Sequence, residues 1–151
     1  MMMERVPAQA GQDNETLSCL LDANVLVAAF ATRGLCQDVL RLVLAEHSLL
    51  VSETILDELE RTLTGKLRTP ARRAREVVTF VCEHGEVLAP ANPAPWPRSD
   101  PDDRWIVAAA LEGAADVPVT GDKNLLEASG ETEFRVLTPR GFWESLRTRS
   151  D

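Results

Sequence analysis

Nowhere does this sequence hold an apolar run near the 18 or so residues that a membrane span requires, so no membrane partner is expected. Met1 to Asn14 also lack the basic flank and apolar stretch of a signal peptide, which leads us to expect a cytoplasmic protein that is not exported. Cysteine is scarce. Cys19, Cys36 and Cys82 are odd in number, far apart and outside any Cys-x-x-Cys spacing, which speaks against disulfides and zinc. All three read as small apolar packing residues in a reduced compartment. Histidine is scarcer still, with only His47 and His84, which disfavours a histidine-based nuclease chemistry. His84, followed by Gly85, reads as a capping or surface residue. Bases are in deficit as well: 16 against 24 acids give a formal net charge of −8, and the sum alone argues against a nucleic-acid partner.

The distribution of charge says something different. No acid falls between Glu60 and Glu76, yet that window holds Arg61, Lys66, Arg68, Arg72, Arg73 and Arg75. A solvated helical face would account for them. Against it, Arg72, Arg73 and Arg75 follow Pro70, in what should be the first turn of a helix, where the macrodipole disfavours cations. A phosphate backbone supplies a reason for that arrangement, and these six residues are the candidate RNA contacts.

With 151 residues and 44% apolar content, the chain suits one domain with an ordinary core. Residues 1–15 are expected to form a flexible tail and residues 16–148 a single domain. Short apolar runs alternate with helical periodicity, the pattern of an α/β sheet with crossovers. Strands are expected at Ser18–Leu21, Leu49–Val51, Val87–Leu88, Asp116–Val119 and Phe134–Leu137. Between them come helices: one from Asn24 through Phe30, one through Val39 to Leu44, and one with Leu56, Leu59, Leu63 and Leu67 along a stripe, capped by Ser52. Pro70 opens a helix with Ala74, Val77, Val78 and Val81 inward. A proline-rich loop runs from Pro90 to Pro97, followed by a helix from Pro101 to about Gly113. A short helix starts near Lys123, and Pro139 opens a last one with Phe142 and Leu146. In open sheets of this kind the site lies beyond the carboxyl ends of the strands.

Acids fall at those ends. Asp22 directly follows Cys19-Leu20-Leu21, where it could equally cap the next helix. Asp103 lies three and four residues before Ile106 and Val107, which continue to Ala110 and Leu111, so it sits on the row that packs inward. Asp100 reads as the cap of that helix, and Asp102 as a solvated helper. Asp122 follows the strand ending at Val119, after Gly121, which permits a tight turn. If the sheet is parallel, Asp22, Asp103 and Asp122 converge, repel one another and call for a divalent cation; hard oxygen ligands favour Mg²⁺ or Mn²⁺. A fourth acid could come from Asp57, Glu58 or Glu60, and periodicity does not choose among them.

These segments resemble the PIN-domain ribonucleases, especially the VapC-like toxins of bacterial toxin–antitoxin pairs. The likeness starts at Leu21-Asp22-Ala23-Asn24-Val25-Leu26-Val27. It continues through Ser52-Glu53-Thr54-Ile55-Leu56-Asp57-Glu58-Leu59, Asp100-Pro101-Asp102-Asp103 and Thr120-Gly121-Asp122-Lys123-Asn124, and it ends in Val136-Leu137-Thr138-Pro139. The resemblance implies a three-layer α/β/α sandwich with a mostly parallel sheet of about five strands. It selects Glu58 and implies Asp22, Glu58, Asp103 and Asp122 as catalytic metal ligands, with Asn24 and Thr120 behind them. It further implies an RNA substrate, a cognate antitoxin and a homodimer. Two positions depart from the pattern. Ala23 stands where a hydroxyl residue is frequent, and Pro118 removes a ladder donor, so its strand is expected to be distorted. A haloacid-dehalogenase-like phosphatase is the enzymatic rival, but it would need acids where Asn24 and Leu126 stand. A PIN-like scaffold that binds without cutting is the other alternative.

Overall fold

The computed structural model describes residues 16–94, 101–129 and 135–150, with side chains from 103 to 127 and 135 to 147 in the last two stretches. The expected tail over residues 1–15, Asp100, Phe134 and the loop segment Pro95–Pro97 lie outside these residues. The elements in chain order are β1 (Ser18–Leu21), α1 (Ala23–Ala31), α2 (Leu35–Glu46), β2 (Ser48–Ser52), α3 (Glu53–Thr64), α4 (Ala71–His84), β3 (Gly85–Leu88), α5 (Pro101–Glu112), β4 (Val117–Val119), α6 (Lys123–Ser129) and α7 (Pro139–Ser150). Among the described residues four strands form one sheet in the order β3-β2-β1-β4, and every pairing is parallel. Helices flank it, which is the expected α/β layering.

A strand in the middle of a parallel sheet is covered on both faces, so it reads as a continuous apolar run rather than an alternating one. In β1, Cys19, Leu20 and Leu21 are all buried, as are Leu49, Leu50 and Val51 of β2. Burying one leucine this way contributes roughly 1.5–3 kcal/mol relative to leaving it exposed. The chain moves outward from β1 to β2 to β3, then returns to place β4 on the other side of β1. This reversal opens a crevice at the carboxyl ends of β1 and β4.

Of the expected fifth strand, Phe134–Leu137, the described residues show a parallel bridge between Val119 and Leu137. Pro118 explains how β4 tolerates its missing donor. Pro118 pairs in regular register with Leu20, while its carbonyl accepts from the Leu137 amide at 3.0 Å. In an extended strand a residue's N–H and C=O point to the same side, so the missing N–H faces the outer edge and not β1. The strand is undistorted against β1, and the sequence-based expectation of distortion is corrected.

Local signals set most helix ends. Ser52 Oγ accepts from the Ile55 amide at 3.2 Å and caps α3, whose Ile55, Leu56, Leu59 and Leu63 face the core. The stripe does not extend to Leu67, which is 45% exposed. The helix ends at Thr64, and the Thr69 amide bonds back to the Leu63 carbonyl at 2.8 Å, swinging Leu67 outward. Similarly, α5 buries Asp103, Ile106, Val107 and Ala110 but leaves Leu111 62% exposed. At its end, a Cβ on Gly113 would meet Leu88 Cδ1 at 2.6 Å, so glycine is there for close approach to the sheet. The left-handed residue is instead Ala114, at φ 51.

The cysteines divide. Cys19 is fully buried, and burial, helped by the charge of Asp116, pushes its thiol up to about 12. Cys36 is half-buried and its thiol is likewise raised by burial. Cys82 is exposed, because α4 turns inward through Ala74 and Val81. The reading of all three as packing residues is corrected for Cys82.

Candidate active site

Parallel pairing of β1 with β4 brings together residues 98 positions apart. Leu21 is opposite Val119, and the Asp22 amide extends the ladder by donating to the Val119 carbonyl at 3.0 Å. Asp22 and Thr120 are therefore the next residues on adjacent strands, at the topological reversal. Asp22 is 4% exposed and Thr120 1%.

The polar groups around Asp22 are closely accounted for. Thr120 Oγ1 donates to Asp22 Oδ2 at 2.6 Å. Asn24 Nδ2 donates to the same oxygen and to Thr120 Oγ1, both at 3.2 Å. The Asp122 amide donates to Thr120 Oγ1 at 3.0 Å, so this hydroxyl gives one hydrogen bond and accepts two, its full capacity. Asp22 Oδ1 accepts from the Ala23 amide at 2.7 Å at the start of α1. The cap role read from sequence and the buried-acid role thus belong to one side chain. Asn24 Oδ1 accepts from the Gly121 amide at 2.8 Å. Gly121 has no positive φ; a Cβ there would stand 3.3 Å from Asn24 Oδ1. Its role is to let the β4 turn approach Asn24, a role that turn statistics do not reveal. Asp122 Oδ1 then caps the next turn by accepting from the Asn124 amide at 2.9 Å.

Burial raises the Asp22 carboxyl above its ordinary value. The bonds from Thr120, Ala23 and Asn24 oppose that, and the charge of Asp122 adds to it. The structure therefore brings Asp22, Asn24, Thr120 and Asp122 into one hydrogen-bonded and electrostatic unit. Asp103 is 1% exposed on α5, and Glu58 is half-buried on α3, as is its competitor Glu60, whereas Asp57 is exposed. Both helices pack against one another, and α3 also packs on α1. Among the described residues no group of three or more His, Cys, Asp or Glu side chains stands together as a ready metal cage. The donors nevertheless suit a hard cation. A carboxylate has about four lone-pair positions, and the three bonds to Asp22 leave one on Oδ1.

The candidate RNA contacts all lie on or between α3 and α4, and all are exposed. Arg68 and Arg73 line one groove. Arg72 and Arg75 line another together with Glu76 and Glu83, and there Arg72 is paired with Glu76 at 3.7 Å. The two histidines sit far from Asp22 along the strands, lining a cavity with Ser18, Ser48 and Glu86 at the strand starts. His84 Nδ1 donates to the Phe80 carbonyl at 2.8 Å, as a helix-end residue should.

A family profile described as "PIN domain" matches residues 18–124. Among solved structures, the VapBC2 complex from Rickettsia felis bound to a DNA fragment from its promoter aligns at 14% identity and a TM-score of 0.58, covering 80% of this chain and 97% of that one. VapBC-1 from nontypeable Haemophilus influenzae aligns at 16% identity and a TM-score of 0.57, covering 82% and 99%. The PIN domain endonuclease Utp24 aligns at 18% identity and a TM-score of 0.52, covering 84% and 86%. At these identities the likeness is one of fold. No curated protein matches the sequence.

Proposed function

From the premise that the chain belongs to the PIN-domain family, a family of nucleases, we propose that it is a metal-dependent endoribonuclease and the toxin of a toxin–antitoxin pair. The observation that carries the chemistry is Asp22: a buried carboxylate at the crevice, aimed by Thr120, Asn24 and Ala23, with the charge of Asp122 beside it. Asp22, Glu58, Asp103 and Asp122 would hold Mg²⁺ or Mn²⁺. An ion held there would supply a water acidified enough to attack at neutral pH and a charge to offset that on the phosphate.

The chain's own residues do the rest. Thr120 and Asn24 fix the carboxylate of Asp22 in one orientation, so that it need not reorganise when charge develops. The Gly121 amide fixes Asn24 in turn. The charge of Asp122 beside Asp22 favours a cation in the crevice, and a bound cation would in turn hold the Asp22 carboxyl ionised. No protein nucleophile is needed. A histidine acid–base pair is disfavoured by position, since His47 and His84 lie by the starts of the strands and Asp22 by their ends. A phosphatase of the haloacid-dehalogenase type is disfavoured by Asn24, whose amide is committed to Asp22 and Thr120.

The two VapBC structures support the toxin reading, in which a partner protein presents a basic side chain or a helix to the acidic crevice of a cytoplasmic homodimer. None of the helices among the described residues is long and apolar enough to cross a membrane. The test is cleavage of a mixed RNA substrate with Mn²⁺, with EDTA, and with Asp103→Asn protein. Loss of cleavage in both controls is the expected result. Wild-type rates in both would end the carboxylate–metal reading, and folded protein that cuts no RNA would favour the non-catalytic scaffold.

A further inference from the structure

The C-terminal end of α1, the α3–α4 turn and the first turns of α4 enclose a groove of about 480 Å³, within the range typical of ligand-binding clefts. Its floor is apolar, from Phe30, Leu63, Leu67 and Val77, its rim carries Arg68 and Arg73, and no carboxylate lines it. In a chain with 24 acids and 16 bases that composition is informative. The neighbouring groove on α4 lacks it, because Glu76 and Glu83 line that surface beside Arg72 and Arg75.

We propose that this groove holds a single-stranded segment of the RNA substrate, with bases against Phe30 and Leu67 and phosphates on Arg68 and Arg73. The inference rests on the ribonuclease reading and assigns its substrate a second point of contact. Stacking of bases on an aromatic side chain beside cationic groups is how single strands are bound without reading sequence. The Phe30 ring is steadied by an edge contact with Phe80, with centroids 5.9 Å apart. Leu67 is a large apolar side chain left 45% exposed beside it. Arg68 adopts φ 55, a conformation that costs about 1–2 kcal/mol in a residue with a Cβ and that glycine would take freely. The Thr69–Leu63 backbone bond holds that turn. The strained residue is an arginine lining the groove, which gives its side chain the reason for being there. Asp22 caps the start of α1 and Phe30 lies eight residues on, about 12 Å along the helix axis, a span that a short stretch of one strand covers.

The test is fluorescence anisotropy of a fluorescein-labelled mixed-sequence RNA 20-mer in EDTA, where cleavage is withheld. For Arg68→Gln/Arg73→Gln, losing two phosphate contacts should lower the log–log salt slope by about 1.4 and the affinity by about 25-fold at 0.1 M salt. Leu67→Glu, at an exposed position that leaves the core alone, should also weaken binding. Arg140→Gln on α7, an exposed arginine in an ion pair with Glu144, should not. In the Mn²⁺ cleavage assay the double variant should raise KM and leave kcat intact. Wild-type affinity and salt slope in the double variant would overturn this inference while leaving the ribonuclease reading standing. So would unchanged RNA binding together with lost binding of a synthetic helical peptide bearing glutamates, which would assign the groove to a protein partner. Wild-type protein that neither binds nor cuts RNA would end both readings.

Discussion

Replacing Thr120 with valine removes one oxygen and scarcely changes shape, so its effect isolates the hydroxyl that links the two strands at the crevice. That hydroxyl gives its proton to Asp22 Oδ2 at 2.6 Å and takes hydrogen bonds from Asn24 Nδ2 and the Asp122 amide. A hydrogen bond to a charged group contributes about 1.5–3 kcal/mol, and a donor left without an acceptor adds about 1 kcal/mol or more. Asn24 Nδ2 keeps its bond to Asp22, so the Asp122 amide is the main orphan. The expected cost of Thr120→Val is therefore about 3 kcal/mol. For a chain of this size that lowers the melting temperature by about 6–12 °C. Thr120→Ser keeps the hydroxyl and loses one methyl group, and it should cost about 1 kcal/mol. The assay is thermal and urea unfolding of the three proteins without divalent ions, at neutral pH and again in acid. In acid Asp22 carries a proton, the bond becomes neutral, and the valine deficit should shrink. A Thr120→Val protein that melts within about 2 °C of wild type, or no lower than Thr120→Ser, would refute the view that this hydroxyl holds the site.

Asp22→Asn should flatten the pH dependence of stability in metal-free protein. The folded carboxyl binds its proton more tightly than the unfolded one, so this contribution is complete below the unfolded value of 3.8 and is lost as pH rises through the raised folded value; equal slopes for the two proteins would count against it. Mn²⁺ should raise the melting temperature of the wild type and leave that of the same variant unchanged, and a persistent shift in the variant would place the ion elsewhere. Cys19, raised from 9.0 to about 12, holds its proton in the fold, so its contribution is intact below pH 9 and drains away between 9 and 12. Urea titrations in that range should show Cys19→Ala losing less stability than wild type. Thiol labelling at pH 8 should find Cys82 at once, Cys36 slowly and Cys19 only after unfolding. Ala114→Gly should gain about 0.5–1 kcal/mol by relieving a left-handed alanine, whereas Gly113→Ala should lose more than that against Leu88; urea midpoints of the two variants decide both.

What could be read from sequence was mostly local. Ser52 capping α3 and the buried runs of β1 and β2 follow from a few adjacent residues, and those features stand in the structure. Leu67 and Leu111 fit their helical stripes yet face outward, because a stripe is an angular property and does not say where the neighbouring layer stops. Cys82 shows the same limit, since composition cannot tell which side of α4 it occupies. Asp22, Asn24 and Thr120 could be nominated from motif order, but their bonds depend on the β1–β4 register, which no local pattern encodes. Gly121 looked like a turn residue, and only the distance to Asn24 reveals its use.

The separation of 98 residues between Asp22 and Thr120 also has a consequence in time. During synthesis Asp22 leaves the ribosome early, and the hydroxyl that orients it arrives only when the last strand of the sheet has been made. Until then the crevice has one wall. On the ribonuclease reading proposed above, the site would therefore stay incomplete while the chain is still tethered to the RNA-rich machine that makes it. A fragment ending before β4 lacks Thr120 and Asp122 and so cannot assemble the site, however much of β1, β2 and β3 it contains.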